Sequence, residues 1–227
     1  MPELIKIKKG LDIKLKGTAD KIYLRADRAP SYAVKPTDFT GIFPKLLAKP
    51  GDSVDVGTPL FFDIYNPRVK FTSPVSGKVS SINRGERRKI LEVIVEPAAK
   101  DEYVKFSVDD PAKMKREDIV EVLLESGMWP TIRQRPYSVI PRPDHMPRSV
   151  FISGFDSAPL APDLDFIVKD FAKEFQKGID VLSMLTEGKI HLGVNADYPT
   201  TRTFANAKGV KLHEFRGPHP AGNVGIQ

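Results

Sequence analysis

The chain has 227 residues, of which 41% are hydrophobic and 28% are charged, a globular composition with room for one large domain or two small ones. Cysteine is absent, which excludes disulfides, thiolate-bound zinc, cysteine-held iron–sulfur clusters and a cysteine nucleophile. The formal charge of +6 admits an anionic partner, but it is densest at RGERRK (84–89), which is interpreted as a solvated hairpin turn, and no nucleic-acid-binding motif accompanies it.

Charged residues interrupt every apolar stretch of the chain, and the opening MPELIKIKKG lacks the hydrophobic region of a signal peptide. We therefore expect a soluble, cytoplasmic protein.

From residue 5 to about residue 97, short apolar runs are separated by Gly, Pro and Asp. This regular punctuation, with period-two alternation in LEVIV, predicts an all-β domain of short strands.

A helix is predicted in VDDPAKMKREDIVEVLLESG (108–127), with Asp110 as its N-cap, Pro111 at its first position and Gly127 at its C-terminal cap. The following segment, 128–148, is rich in proline and is interpreted as a link between domains.

Three strands and two helices are predicted in the last third of the chain. The strands are RSVFISGF, KIHLGV and VKLHEF, separated by a helix in DFAKEFQKGIDVLSMLTEG and a short helix at 201–207. This βαβαβ order predicts a parallel sheet in an α/β domain. The predicted fold is therefore multidomain, with an all-β domain at 1–100, a helix and linker at 101–148, and an α/β domain at 149–227. Because so few elements bury little surface, we expect a piece of a longer protein.

The segment KPGDSVDVGTPLFFDIYNPRVKFTSPVSGKVSSI (49–82) resembles the biotinyl/lipoyl carrier family, whose fold is a barrel-sandwich hybrid. In carrier members, the modified lysine sits at the hairpin apex, eight positions before the proline that matches Pro74. That position is Asn66 here, and asparagine has no amine with which to form the tethering amide. We therefore expect a carrier fold reused as a scaffold; a working lipoyl or biotin carrier is the alternative.

Further strings extend the resemblance to the whole chain: IKIKKGLDIKLKG, AVKPTDFTGIFPKLLAKPGDSVDVGTPLFFDI, LLESGMWPTIRQRPY, VFISGFDSAPLAPDLDFIV and FRGPHPAGNVGIQ. Together they resemble the N-terminal portion of the A subunit of the bacterial sodium-translocating NADH:quinone reductase (Na+-NQR). That family is distantly similar to the C subunit of the Rnf complex and to the flavin subunit of respiratory complex I.

In those distant relatives, the helix ending in ESG leads into a glycine-rich flavin loop, whereas here the loop reads MWPTIRQRPY. Glycines let a backbone approach a phosphate, while Trp129, Pro130, Ile132 and Pro136 block that approach. We therefore predict no flavin mononucleotide and no NADH in this region.

Six residues are candidates for quinone or interface contacts. GPHPAG follows the third strand of the α/β domain, where His219 between Gly217 and Gly222 could donate a hydrogen bond to a quinone carbonyl. The alternative is a tight domain-packing turn. Asp156 is interpreted as a structural loop residue rather than a ligand contact. Arg133 and Arg135, like Arg142 and Arg148, are expected to pair with carboxylates at a subunit interface, with binding to phosphate or to lipid headgroups as the alternatives.

The resemblance implies a soluble subunit of a sodium pump that carries no redox group, is catalytically silent alone, and docks on membrane subunits. It also implies a peripheral position on the cytoplasmic side of the inner membrane, with a contribution to a quinone site. NADH, FAD, FMN, riboflavin and Fe–S clusters are expected only in partner subunits. The alternatives are a flavin-binding or carrier domain of another oxidoreductase and a basic nucleic-acid-binding module.

Overall fold

A computed structural model describes residues 3–17, 19–106, 110–198 and 202–227. The elements in chain order are β1 (Glu3–Lys6), β2 (Tyr32–Val34), β3 (Pro44–Leu46), β4 (Ser53–Val54), β5 (Pro59–Asp63), β6 (Asn66–Thr72), β7 (Gly77–Arg84), β8 (Ile90–Pro97), α1 (Arg116–Glu125), β9 (Val150–Ser153), α2 (Leu164–Val168), α3 (Ala172–Ser183), β10 (Ile190–Asn195), α4 (Arg202–Ala205) and β11 (Val210–Arg216). None of the helices in these ranges is long and apolar enough to cross a bilayer.

The chain forms two compact units. Residues 25–109 and 116–145 make up one, called here the β unit, and residues 1–24, 110–115 and 146–227 make up the other, called the α/β unit. Each is built around its own buried side chains, as expected from a chain of this length.

The β unit contains two antiparallel sheets, with strand orders β2-β8-β7-β4 and β3-β5-β6. Alternate side chains are buried in β6 (Val69 and Phe71) and in β8 (Val93 and Val95), as the period-two pattern predicts. Phe61 and Phe71 stack with ring centroids 4.7 Å apart. The structure therefore confirms the predicted all-β organisation, and RGERRK forms the predicted turn between β7 and β8.

Helix α1 packs against β6 in the β unit and buries Ile119, Val120 and Leu124. The expected helix end is observed at Gly127, whose φ of +72° suits glycine. The expected start at Asp110 is wrong. Pro111 instead opens a separate 3-10 turn, closed by a bond from the Lys113 N–H to the Asp110 carbonyl, and the helix begins only at Arg116.

The α/β unit is built on a parallel sheet with strand order β1-β11-β10-β9. The parallel pairing of β9, β10 and β11 confirms the predicted α/β domain. Helices α2, α3 and α4 supply Val168, Phe175 and Phe204 to the core on one face, where they pack around Leu192 and Val194. Helix α4 confirms the predicted short helix, although residue 201 lies outside the described residues.

The first strand differs from the sequence-based assignment. The sequence pattern places the segment around Ile5 in the all-β domain, but β1 pairs with β11 in the parallel sheet. Alternation of apolar and charged residues identifies a strand without saying which sheet it joins. The range 101–148 is likewise not a separate linker in the structure, since most of it packs within the β unit.

Candidate functional site

Two loops meet at the edge of the parallel sheet where β9 and β11 end. The hydroxyl oxygen of Ser157, in the loop after β9, accepts a hydrogen bond of 2.8 Å from the Gly222 N–H, in the loop after β11. The same oxygen lies 3.1 Å from Nδ1 of His219. Ser157 therefore links the two loops, at the edge where open α/β sheets commonly bind ligands.

Glycine allows this close approach. A Cβ on Gly222 would lie 2.4 Å from the Ser157 nitrogen, and a Cβ on Gly217 would lie 2.2 Å from the Ile7 carbonyl oxygen. The His219 N–H donates to Oδ1 of Asp12 at 2.8 Å. The segment after β1 and the two loops are therefore packed too tightly for a side chain at either glycine.

The sequence-predicted candidates fall into two groups. Asp156, Gly217, His219 and Gly222 all lie at this edge of the α/β unit. Asp156 is exposed, and its carboxylate accepts a 2.8 Å bond from the Ala158 N–H, which is a local turn contact. These contacts favour the interpretation of GPHPAG as a packing turn, because the side chain of His219 is held by the loops themselves.

Arg133 and Arg135 belong to the other group, in the β unit. Both are exposed. The Arg133 guanidinium carbon lies 5.2 Å from the centroid of the Phe39 ring, a cation–π distance. The expected pairing of these arginines with carboxylates at a subunit interface remains a prediction.

A second candidate lies on the face of the parallel sheet opposite the helices. Here a cleft of about 160 Å³ opens over the strands. It is lined by Ile5, Phe151, Ile152, His191, Gly193, His213, Phe215 and Gln227. The volume is below the roughly 300–1,000 Å³ of drug-sized pockets, so the cleft suits a single ring rather than a dinucleotide.

Two histidines, together with Gln227, form the polar part of this cleft. Nδ1 of His191 lies 2.8 Å from Nε2 of His213, and the His191 ring stacks on Phe151 with centroids 4.7 Å apart. Burial holds the pKa of His191 below its ordinary value, and the neighbouring His213, Lys211 and Lys189 lower that pKa further. A neutral imidazole at this position can donate or accept one hydrogen bond in an aromatic setting.

The sequence contains a signal for this pair that reasoning from motifs alone misses. His191 and His213 are far apart in the chain and too few to suggest a metal site. In KIHLGV and VKLHEF, however, each histidine lies on a strand, and the two strands prove to be neighbours; His191 lies between the buried Ile190 and Leu192. The described residues contain no group of three His, Cys, Asp or Glu that could hold a metal ion.

The loop MWPTIRQRPY folds back on its own chain. Trp129 is buried, and its indole Nε1–H donates a 2.8 Å bond to the Pro141 carbonyl oxygen. The Gln134 N–H in turn donates to the Val139 carbonyl oxygen at 2.7 Å. The Gln134 N–H and the carbonyl oxygens of Val139 and Pro141 are therefore hydrogen-bonded within the loop itself.

The hairpin that corresponds to the carrier hairpin joins β5 to β6. Its turn residues are Ile64 and Tyr65, and Asn66 is the first residue of β6, paired with Asp63. Asn66 thus lies just after the apex rather than at it, which corrects the sequence-based placement. Val69 and Phe71 are buried on either side of Lys70, as the alternation predicts.

Both parts of the chain match models of one protein family. Residues 5–98 match the model described as the NqrA N-terminal barrel-sandwich hybrid domain, and residues 114–227 match the model described as the NqrA second alpha/beta domain. The chain belongs to the NqrA family, the A subunits of Na(+)-translocating NADH-quinone reductases. The fold class expected from the sequence is thereby confirmed.

Curated NqrA relatives support this assignment over almost the whole chain. The chain is 38% identical over 226 residues to the NqrA protein of Neisseria meningitidis, named as the A subunit of the Na(+)-translocating NADH-quinone reductase. It is 40% identical over 225 residues to the protein of the same name in Yersinia pseudotuberculosis. Each alignment covers 98% of this chain and 50% of the relative, so the chain spans about half the length of these NqrA proteins.

Proposed function

We propose that the chain is a docking subunit of a sodium-translocating NADH:quinone reductase, and that it supports electron transfer in partner subunits without a redox group of its own. Membership in the NqrA family supports the assignment to such a complex. The proposal places the chain on the cytoplasmic side of the membrane, held there by those partners.

The proposed absence of a redox group has two supports. In the β unit, the loop that carries flavin in distant relatives is built around the buried Trp129 and its bond to Pro141. The N–H groups of Thr131, Ile132 and Gln134 bond within the loop, and Pro130 and Pro136 have no N–H, so these positions have no donor to offer a phosphate. The carrier-like hairpin, for its part, has Asn66 where a lysine would be needed, which argues against a lipoyl or biotin arm.

The chain also contributes, in this proposal, to binding the quinone ring. The observation that carries it is the His191–His213 pair in a cleft lined by Phe151 and Phe215. A quinone needs an apolar, aromatic setting and a hydrogen-bond donor for its carbonyl oxygen, and a neutral imidazole supplies that donor. What favours this cleft as the quinone site is its aromatic lining, with the Phe151 ring stacked on the His191 imidazole.

The docking proposal is tested by expressing a full-length form of the chain with the membrane subunits of the reductase. We expect the chain to co-purify with them and, when purified by itself, to show no flavin absorbance and no added mass. Failure to associate, or a yellow isolated protein, would contradict the docking proposal.

The quinone proposal is tested by NMR of the imidazole C–H signals during titration with a short-chain ubiquinone. The signals of His191 and His213 should shift, while those of His145, which lies in the β unit, and His219 should stay constant. Shifts confined to His219 would restore the sequence-based site. Equal shifts of all four signals would indicate non-specific binding and contradict the proposed cleft.

A further inference from the structure

An exposed apolar tip closes one end of the hairpin between β5 and β6 in the β unit. Tyr65 and Ile64 form the turn and are 77% and 45% exposed, and Phe43, just before β3, is 60% exposed. Phe43 and Tyr65 contact each other edge to face, with ring centroids 6.0 Å apart. Three large apolar side chains thus share one protruding patch, which we call the aromatic tip. Exposed apolar patches commonly mark contact surfaces.

The aromatic tip is held in place by a carboxylate beneath it. Asp63 is only 9% exposed. Its Oδ1 accepts a 2.9 Å bond from the Phe43 N–H and a 3.3 Å bond from the Tyr65 N–H. The Ile64 N–H donates to the Phe43 carbonyl oxygen at 2.8 Å. The backbone on both sides of the tip is therefore fixed before any partner binds, which lowers the entropy cost of binding.

Two lysines flank the patch at a defined distance from its apex. Lys45 and Lys70 are the cross-strand neighbours of Phe62, on either side of it. The Lys45 Nζ lies 5.9 Å from the centroid of the Phe62 ring. Phe62 is two residues before Ile64, a distance of about 7 Å at the usual rise of a strand. Arg68, further along β6, is already paired with Glu121.

This arrangement matches the layers of a bilayer surface. Interfacial anchors bury their apolar side chains about 5–10 Å into the boundary between headgroups and acyl chains. A tip inserted to that depth would bring Lys45 and Lys70 to the level of the phosphates. Tyrosine is enriched at that boundary, because its ring is apolar and its hydroxyl is polar. A protein partner fits this patch less well, because lysine is depleted in protein–protein interfaces.

From this geometry we propose that the aromatic tip inserts into the surface of an anionic lipid bilayer, with Lys45 and Lys70 contacting lipid phosphates. This contact is separate from the proposed docking through partner subunits and from the quinone cleft, which lies in the other unit. The hairpin that displays a lysine in carrier proteins would then serve as a membrane contact.

The first test is flotation of the whole chain, without partner subunits, with vesicles of phosphatidylglycerol mixed with phosphatidylcholine. We expect binding to these vesicles. The triple variant Phe43→Ser, Ile64→Ser, Tyr65→Ser should bind at least about tenfold more weakly, because it removes the inserted apolar surface. Tyr137→Ser is the matched control, since Tyr137 is 80% exposed in the same unit, and it should bind like the original chain.

The second test separates charge from insertion. The variant Lys45→Glu, Lys70→Glu should lose about tenfold or more in binding to the anionic vesicles, because each lysine near such a surface is attracted to it. Lys78→Glu changes another exposed strand lysine of the β unit and should have a smaller effect.

Insertion itself is measured with a Tyr65→Trp variant. Brominated lipids should quench the fluorescence of the new tryptophan, against the constant background of the buried Trp129.

Three results would overturn the proposal. One is an original chain that does not float with anionic vesicles at low salt. Another is binding that the triple variant retains in full. The third combines two observations: the original chain does not bind lipid, and the triple variant no longer co-purifies with the membrane subunits in detergent. That combination would assign the aromatic tip to a protein partner.

Discussion

Nδ1 of His191 lies 2.8 Å from Nε2 of His213, across neighbouring parallel strands of the α/β unit. A hydrogen bond between these nitrogens requires one ring to donate and the other to accept, so at least one of the two imidazoles is neutral. The protonation state of the two histidines is therefore coupled to the stability of the sheet.

The stability of the α/β unit should fall as the solution is acidified. The folded-state pKa of His191 lies below its ordinary value of 6.5, first because of burial and then because of His213 and the neighbouring lysines. As pH falls through that ordinary value, the unfolded chain consequently binds more protons than the folded chain does. The free energy of unfolding therefore decreases. We expect the unfolding midpoint to drop between about pH 7.5 and about pH 5.5.

His191→Asn is the matched variant for this pH dependence, because asparagine keeps a hydrogen-bonding group without titrating. Its unfolding midpoint should vary less with pH than that of the original chain. Equal pH dependence of the two proteins, measured by thermal unfolding followed by circular dichroism, would show that His191 does not couple to stability.

Ser157→Ala should loosen the contact between the loops that follow β9 and β11. The substitution removes the hydroxyl that accepts from the Gly222 N–H and contacts His219. We expect a loss of about 1–3 kcal/mol of stability, because the partly buried groups lose their partner. Hydrogen exchange at the Gly222 N–H should become faster. Ser149→Ala is the control, since the Ser149 hydroxyl bonds only to the adjacent Arg148 carbonyl among the contacts observed and should leave Gly222 exchange unchanged.

Gly127→Ala should destabilise the β unit more than Gly51→Ala does. Both glycines have a positive φ, +72° and +96° respectively. A Cβ at residue 127 would also lie 2.5 Å from Thr72 Oγ1, whereas nothing lies within 4 Å of a Cβ at residue 51. Gly51→Ala is expected to cost about 1–2 kcal/mol for its backbone alone.

Thr72→Ala provides the check on that clash. In urea unfolding, the double variant Gly127→Ala, Thr72→Ala should be less destabilised than the sum of the two single variants, because the overlapping side chain is gone. Additive effects would mean that the helix end shifts to avoid Thr72.

Asn66→Lys should not turn the β unit into a lipoyl or biotin carrier. The new lysine would stand at the start of β6, opposite Asp63, and not at the turn formed by Ile64 and Tyr65. Intact-mass measurement after expression in a host with active ligases should show no lipoyl or biotinyl addition. A known carrier domain expressed in parallel is the positive control, and a mass shift on Asn66→Lys would mean that the carrier function is one substitution away.

Local patterns were sufficient to predict most elements of this protein. Alternation around Val93 and Val95 indicated a strand, the spacing of Ile119, Val120 and Leu124 indicated a helix, and the βαβαβ order indicated parallel pairing. These predictions succeed because periodicity and short-range turn chemistry depend on residues that are close together in the chain. The family resemblance was likewise available from the sequence, because it rests on strings of adjacent residues.

Only the tertiary structure decided which distant segments meet. It brought Ile5 beside Phe215 in the parallel sheet, and it placed His191 against His213 in a cleft that no sequence motif indicates. It also showed that Phe43, twenty-two residues before Tyr65, completes the aromatic tip. Strand pairing and burial depend on contacts between residues far apart in the chain, and local residue patterns do not identify those partners.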